Sequence, residues 1–309
     1  MTAASETRGG RSAFGADIAA SPGSWLAAMG WDRTALLVIP AVVLVLALFV
    51  YPFGYGLVLS FEPMQGGVLE NYANFFTKAA LYQTIATTLW LALPATLVNV
   101  FIALPIAFQL RRKSAYQRIF TTILVIPITL GTVLVAEGML TYLGPQGWFN
   151  RVLMNLHLIE VPVRLTHNYW GVLLSLVITG FPFAFLLILS YITGIDPVLA
   201  QAASTLGARP GAQFRHIYLP LLVPGLAICF CLSFVQAFSV FPSAVLLGAP
   251  AGPTRVISIA AYQAAFEDYD YSMASAIAMI MGAVQLLVVI AVLALRGAFY
   301  KGPATGAKG

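Results

Sequence analysis

The sequence predicts an all-α membrane protein, built as a bundle of six transmembrane helices. Three observations lead there. Apolar residues make up 60% of the 309 residues and charged residues only 9%, with a mean hydropathy of +0.88. A soluble domain carries about 25% charged residues, so a water-facing surface cannot be built from so few. The apolar residues also gather into six stretches, each long enough to cross a hydrocarbon core that needs about 20 residues of helix. Finally, no strand-like alternation persists along the chain. In lipid that leaves helices, which pair every backbone N–H and C=O within the segment.

Residues 1–33 are mostly polar or small, contain Arg8, Arg11 and Arg33, and read as a cytoplasmic N-terminal arm, of which Ser24 to Trp31 suits the membrane surface. The apolar stretch that follows exceeds the roughly 7–15 residues of a signal-peptide core. The transmembrane domain is expected over 34–296, with spans at about 34–60, 82–110, 119–143, 169–193, 221–247 and 272–295 and a cytoplasmic tail at 297–309. Most spans contain proline: Pro40 and Pro52, Pro94 and Pro105, Pro127, Pro182, and Pro224 and Pro242. Proline removes a backbone donor and tends to kink a helix. The two cysteines, Cys229 and Cys231, form no CxxC and read as small buried residues.

Lysine and arginine set the orientation. The arm, the loop Arg111-Arg112-Lys113 to Arg118, the loop with Arg209 and Arg215, and the tail with Arg296, Lys301 and Lys308 hold twelve basic residues on one side. Lys78, Arg151, Arg164 and Arg255 are the four on the other. The imbalance places both termini in the cytoplasm. Among the external connections, residues around Trp148, with Val152, Leu153, Leu156 and Ile159 at helical spacing, predict a short amphipathic helix on the outer surface.

The polar island at 196–220 is the part of the chain with the most specific pattern. Asp196 suits a helix N-cap and Pro197 the first helical position. Val198 to Leu206 is rich in small, helix-favouring residues, and Gly207 can take positive φ and stop the helix. Arg209-Pro210 starts a second short helix, which Leu219-Pro220 is expected to end. The prediction is a helix–Gly–helix elbow projecting from the membrane between the fourth and fifth spans.

Gln201-Ala202-Ala203, Gly207, Ile217 and Leu219-Pro220 stand at the spacing of the EAA loop, and on these residues the chain resembles the type I, binding-protein-dependent permeases of ABC importers. Gln201 departs from the family's Glu; it loses the charge but keeps length and hydrogen-bonding capacity. The runs Phe61 to Phe76, Leu143 to Asn150 and Tyr262 to Phe266 are most similar to the subgroup serving polyamines such as spermidine and putrescine. The resemblance implies a multi-pass pore subunit in a bacterial inner membrane, working by alternating access. It also implies several partners: a dimer of cytoplasmic ATP-binding subunits docked on the elbow, a second permease usually forming a heterodimer, and an extracytoplasmic solute-binding protein. No GxxxxGK[ST] occurs in the chain, so ATP hydrolysis is expected in a separate subunit, and no cofactor, metal or nucleic acid is implied for this one.

Glu137 is the only acidic residue well inside a span and, with Asn99 and Gln236, is a candidate for the substrate path; Gln263 and Gln285 are further uncharged polar candidates. Ionisable groups in hydrocarbon usually face a cavity or a partner. Two other classes compete. An ion-coupled secondary transporter predicts internal repeats and more intramembrane charge, and a membrane enzyme predicts clustered His, Asp, Glu or Cys at one depth. The sequence displays neither pattern.

Overall fold

The computed structural model describes residues 38–112 and 114–299. The arm expected at 1–33 lies outside the described residues, as does the tail from residue 300 on. The described residues contain helices and no strand. Six helices are long and apolar enough to cross a membrane.

The chain divides into two units between Tyr55 and Gly56. Helix α1 (Ile39–Ser60) begins in the first unit and ends in the second. Within the first unit it widens into a π turn at Leu46–Val50, where the Tyr51 N–H reaches back to Leu46 O. Pro52 follows directly, with no N–H to give and a ring that crowds the carbonyl four residues back. The wider turn accommodates it.

The second unit continues with α2 (Glu70–Thr77), α3 (Ala79–Gln109), α4 (Ala115–Leu143), α5 (Trp148–Asn155), α6 (Tyr169–Thr193) and α7 (Pro197–Thr205). It closes with α8 (Pro210–Phe238), α9 (Pro242–Leu247), α10 (Ile257–Phe266) and α11 (Tyr271–Phe299). Helices α3 and α6 form the central pair, with α8 against both. Lipid tails give little hydrophobic drive for helix pairing, so close approach of small residues matters more. Ala92, Ala95, Ala103 and Ala107 of α3 and Ala184 of α6 are accordingly fully buried.

The core has two parts. One gathers Leu91, Val172, Phe234, Phe238, Leu247, Ile257 and Ile277, with Phe75 of α2. The other gathers Ala107, Phe185, Ile188, Ile192, Tyr218 and Leu222, towards the elbow. At the opposite end Asn150 of α5 ties the connection together. Its Nδ2 donates to Gly144 O at 2.9 Å and Val163 O at 3.1 Å, while its Oδ1 accepts from the Val163 N–H at 2.9 Å.

Three expectations need correction. The fifth span does not run unbroken over 221–247: α8 ends at Phe238, Ser239 to Phe241 leave the helix, and α9 restarts at Pro242. Pro242 stands at the restart, and Phe241 before it is out of helical geometry at φ −132° and ψ −61°, as proline favours in the residue preceding it. Leu219-Pro220 does not end the second helix of the elbow, because a π turn at Phe214–Tyr218, closed by the Leu219 N–H on Phe214 O, carries the backbone past Pro220 into the span. In α4 the backbone leaves helical geometry at Gly131, with φ 75° and ψ 164°, whereas Pro127 stays within the helix. Only glycine adopts those angles readily.

Candidate functional site

The elbow is built from strong local signals. Asp196 caps α7, its Oδ1 accepting from the Val198 N–H at 2.9 Å. Beyond Thr205, Gly207 takes φ +81°. The Gly207 N–H then bonds Ser204 O at 3.0 Å and the Ala208 N–H bonds Ala203 O at 2.9 Å, which together close a Schellman motif. Arg209 and Pro210 open α8. Gln213 joins the two arms: its buried amide donates to Ser204 Oγ and to Ala208 O, both at 2.9 Å.

The base of the elbow is aromatic. Phe108 of α3 packs on Phe214 and Tyr218 at ring separations of 4.7 and 5.1 Å. The Arg111 guanidinium lies 3.9 Å above the Phe108 ring and donates to Phe108 O at 2.6 Å. The first arm instead faces outward with apolar groups. Leu199 and Ala202 on α7 and Leu206, the residue that caps its C-terminus, recur at helical spacing and are exposed, Leu206 to 89%. Of the residues matched to the EAA pattern, Gln201, Ala202, Gly207 and Pro220 are exposed and Ala203, Ile217 and Leu219 are half-buried. Gln213 and Leu206, which carry the staple and the exposed face, are not among the pattern residues. Leu206 could have been noticed as a large apolar residue directly before the helix-ending glycine.

A second site lies between the two parts of the core. Asn99 of α3, Thr179 and Gly180 of α6, and Ser233 and Gln236 of α8 line a cavity of about 90 Å³, bounded on one side by the Ser239–Phe241 break. Asn99 is 2% exposed and Ser233 3%. Asn99 Nδ2 donates to Leu176 O at 3.3 Å, which leaves Oδ1 buried with no partner among the described residues, as is Ser233 Oγ. Gly180 makes room for this amide: a Cβ there would stand 2.4 Å from Asn99 Nδ2. The structure thus brings the candidates Asn99 and Gln236 to one cavity. Glu137 is not among its lining residues and is exposed, although Thr132 of the same helix does line it. Ser233 was missed from sequence, yet it is the only hydroxyl between residues 221 and 235. Gln285 belongs nearby, its Nε2 donating to Ser239 Oγ at 2.8 Å. Among the described residues no group of His, Cys, Asp and Glu could hold a metal ion. Cys229 and Cys231 are both buried and free.

Comparison with known proteins gives this architecture its class. The family model for the binding-protein-dependent transport system inner membrane component matches residues 99–302. The chain belongs to that family, which makes it a multi-pass permease component of the inner membrane. A spermidine/putrescine transport system permease protein PotB from Haemophilus influenzae is 30% identical over 182 residues, covering 58% of this chain and 63% of the relative. The chain thus aligns with less than two thirds of that relative's length. A probable sulfate transport system permease protein cysT from Chlorella vulgaris is 33% identical over 215 residues, covering 69% of this chain and 77% of the relative. Among solved structures, a bacterial ABC transporter involved in the import of the acidic polysaccharide alginate superposes with a TM-score of 0.76. It covers 90% of this chain and 99% of that one at 23% identity, a likeness of fold.

Proposed function

We propose that this chain is the pore-forming subunit of an ATP-driven importer, with the 196–220 elbow as the part that docks a cytoplasmic ATP-binding subunit. The observation that carries the reading is the exposed apolar face of α7. Leu199, Ala202 and Leu206 stand out on a helix whose both ends are tied down, by the Asp196 cap and by the glycine motif. A large apolar residue exposed to 89% at the tip of a rigid elbow suits a partner surface. The excess of basic residues on one side supports a cytoplasmic position for the elbow and both termini. ATP is hydrolysed in the partner, a second permease completes the pore, and an extracytoplasmic binding protein delivers the solute.

Uptake of solute by membrane vesicles, with and without internal ATP, tests the reading. Gly207→Pro, or deletion of Ala202 and Ala203, is expected to abolish uptake and the recovery of the ATP-binding subunit with the tagged chain. Uptake that persists in either variant, or that follows an ion gradient without ATP, returns the ion-coupled transporter to the front.

For the solute we propose a polyamine of the spermidine or putrescine kind. The similarity to a polyamine permease supports this, but that to sulfate permeases is of the same order. A buried acceptor in the cavity supports the polyamine. Asn99 Oδ1 accepts hydrogen bonds and does not donate them, and it is buried without a donor among the described residues. An ammonium group supplies donors, whereas sulfate only accepts. Uptake of labelled putrescine that unlabelled sulfate does not reduce is the expected result; labelled sulfate uptake with no putrescine uptake overturns the assignment.

A further inference from the structure

A groove of about 480 Å³ runs along the inner side of the elbow, between α7 and the loop after α3. Arg111 and Arg112 line it on one side, and Gln201, Ser204 and Gln213 on the other. Among the described residues its lining contains no Asp or Glu. The nearest acidic residue in sequence, Asp196, spends an oxygen on the cap of α7. An arginine side chain keeps its proton in any protein and offers five N–H donors. The bond to Phe108 O uses one donor of Arg111, and the stacking on Phe108 fixes the plane of its guanidinium. Arg112 is exposed. The groove is therefore a preset receptor for a negative charge, and no carboxylate among the described residues lines it.

Of the two polar residues of α7 that line the groove opposite the arginines, Gln201 stands at the position where the EAA pattern has Glu. A glutamate there would bring a counter-charge into the groove. With glutamine the groove keeps both positive charges. We propose that this groove receives a carboxylate of the ATP-binding subunit, and that Gln201 is the residue that selects for it. The inference rests on the reading that the elbow docks that subunit, and extends it: the exposed face of α7 supplies apolar contact, while the groove behind it supplies the charge that decides which ATP-binding subunit fits. Two arginines in planar, partly fixed geometry suit a carboxylate, which they can grip by paired hydrogen bonds.

The consequence runs against the family pattern. Gln201→Glu restores the usual residue, yet here it cancels one of the groove's two positive charges and weakens its pull on the incoming carboxylate. The test titrates the purified ATP-binding subunit onto the permease complex in nanodiscs of zwitterionic lipid. Arg112→Gln and Gln201→Glu are each expected to weaken binding by about tenfold, the size of one close interfacial charge pair. Gln201→Ala, which adds no charge, is expected to stay within about twofold. Binding to the wild type should weaken with salt more steeply than binding to Arg112→Gln. Arg112 is the variant of choice because Arg111 also packs against the base of the elbow.

Gln201→Glu that binds as tightly as wild type, or more tightly, overturns the proposal. So does an Arg112→Gln defect that appears only in nanodiscs containing anionic lipid, because the groove then holds a lipid headgroup. If the wild-type permease binds no ATP-binding subunit at all, the docking role of the elbow fails as well. Normal wild-type binding with unaffected variants removes the groove alone.

Discussion

Replacing Gly180 by alanine tests how the centre of the bundle is held. A Cβ at this position would stand 2.4 Å from Asn99 Nδ2 and 3.5 Å from Asn99 Cγ. Ordinary contact begins at about 3.5 Å, so the nearer atom must give way by about 1 Å. Two responses are open. The amide can swing away and lose its bond to Leu176 O, which at an average bond between membrane helices costs about 0.6 kcal/mol and at most about 1.7. Alternatively α3 and α6 part slightly, and overpacking of that kind costs about 1–3 kcal/mol. Together these put Gly180→Ala at about 1–3 kcal/mol of destabilisation. At about 2–4 °C per kcal/mol for a chain of this size, unfolding should begin roughly 2–12 °C lower. The free, buried thiols of Cys229 and Cys231 provide the assay: a thiol-reactive dye added to the protein in detergent reports their exposure as temperature rises. The second mutation of the cycle is Asn99→Ala, which removes the atoms that clash. The double variant is expected to melt close to Asn99→Ala alone. If Gly180→Ala melts with the wild type, or if Asn99→Ala leaves the defect in place, the close approach of amide and glycine is not what holds α3 against α6.

Three further outcomes are expected. Leu206→Ser should leave thermal unfolding within about 0.5 kcal/mol of wild type, because the side chain is 89% exposed, while recovery of the ATP-binding subunit with the tagged chain falls markedly. Gly131→Ala should cost about 1–3 kcal/mol by the same dye assay, purely through the backbone, since a Cβ there meets nothing within 4 Å and φ 75° with ψ 164° suits only glycine. Asn150→Ala removes the side chain that holds Gly144 to Val163, three part-buried bonds worth about 0.5–1.5 kcal/mol each, so limited proteolysis should cut that connection faster while the spans stay intact.

Much of the fold was legible because the governing signals are local or compositional. Six apolar stretches read directly as six span-capable helices, since lipid tolerates few alternatives. The elbow was legible for a similar reason: Asp196, Pro197, Gly207 and Pro210 each act on the backbone within one turn of themselves. What could not be read were the places where two backbone choices compete. Pro220 and Pro242 have the same ring and the same missing donor. At Pro220 a π turn absorbs the defect and the helix continues, whereas at Pro242 the helix breaks and restarts. Tertiary packing decides between them. Gly131 was hidden for the complementary reason, since its sequence neighbours are ordinary span residues and nothing local demands φ 75°. The cavity was half legible. Asn99 and Gln236 stood out as polar residues in apolar runs, but Ser233 and Gly180 gain their meaning only from opposing helices. Glu137 was the loudest single residue in the sequence and is nonetheless absent from that cavity.

The two sites share a helix, and this gives the proposed docking role a mechanical consequence. Helix α8 runs from Pro210 in the elbow to Phe238 beside the cavity, 29 residues or about 43 Å at 1.5 Å per residue. Its departures from α-helical geometry are confined to its ends. The π turn lies at the elbow, and the break at Ser239–Phe241 lies at the far end, at the edge of the cavity. Between them the helix is continuous, and Pro224 leaves it unbroken. Displacement applied at Gln213 or Phe214 therefore has no soft segment in which to dissipate before it reaches Ser233, Gln236 and the break. Two restraints act on the elbow end, the Gln213 bond to Ser204 and the packing of Phe214 and Tyr218 on Phe108. At the cavity end Gln285 of α11 donates to Ser239 Oγ at 2.8 Å and to Val235 O at 3.4 Å, and Ser258 of α10 donates to Val240 O. On the proposed reading, Gln213→Ala loosens the grip of α7 on the rod, so ATP hydrolysis continues and uptake per ATP falls. Gln285→Ala loosens the other end, so ATP-independent leak of solute through the assembled importer rises with docking unchanged. Flux measured against ATP hydrolysed separates the two, and a variant pair with the same effect on both quantities contradicts the rod.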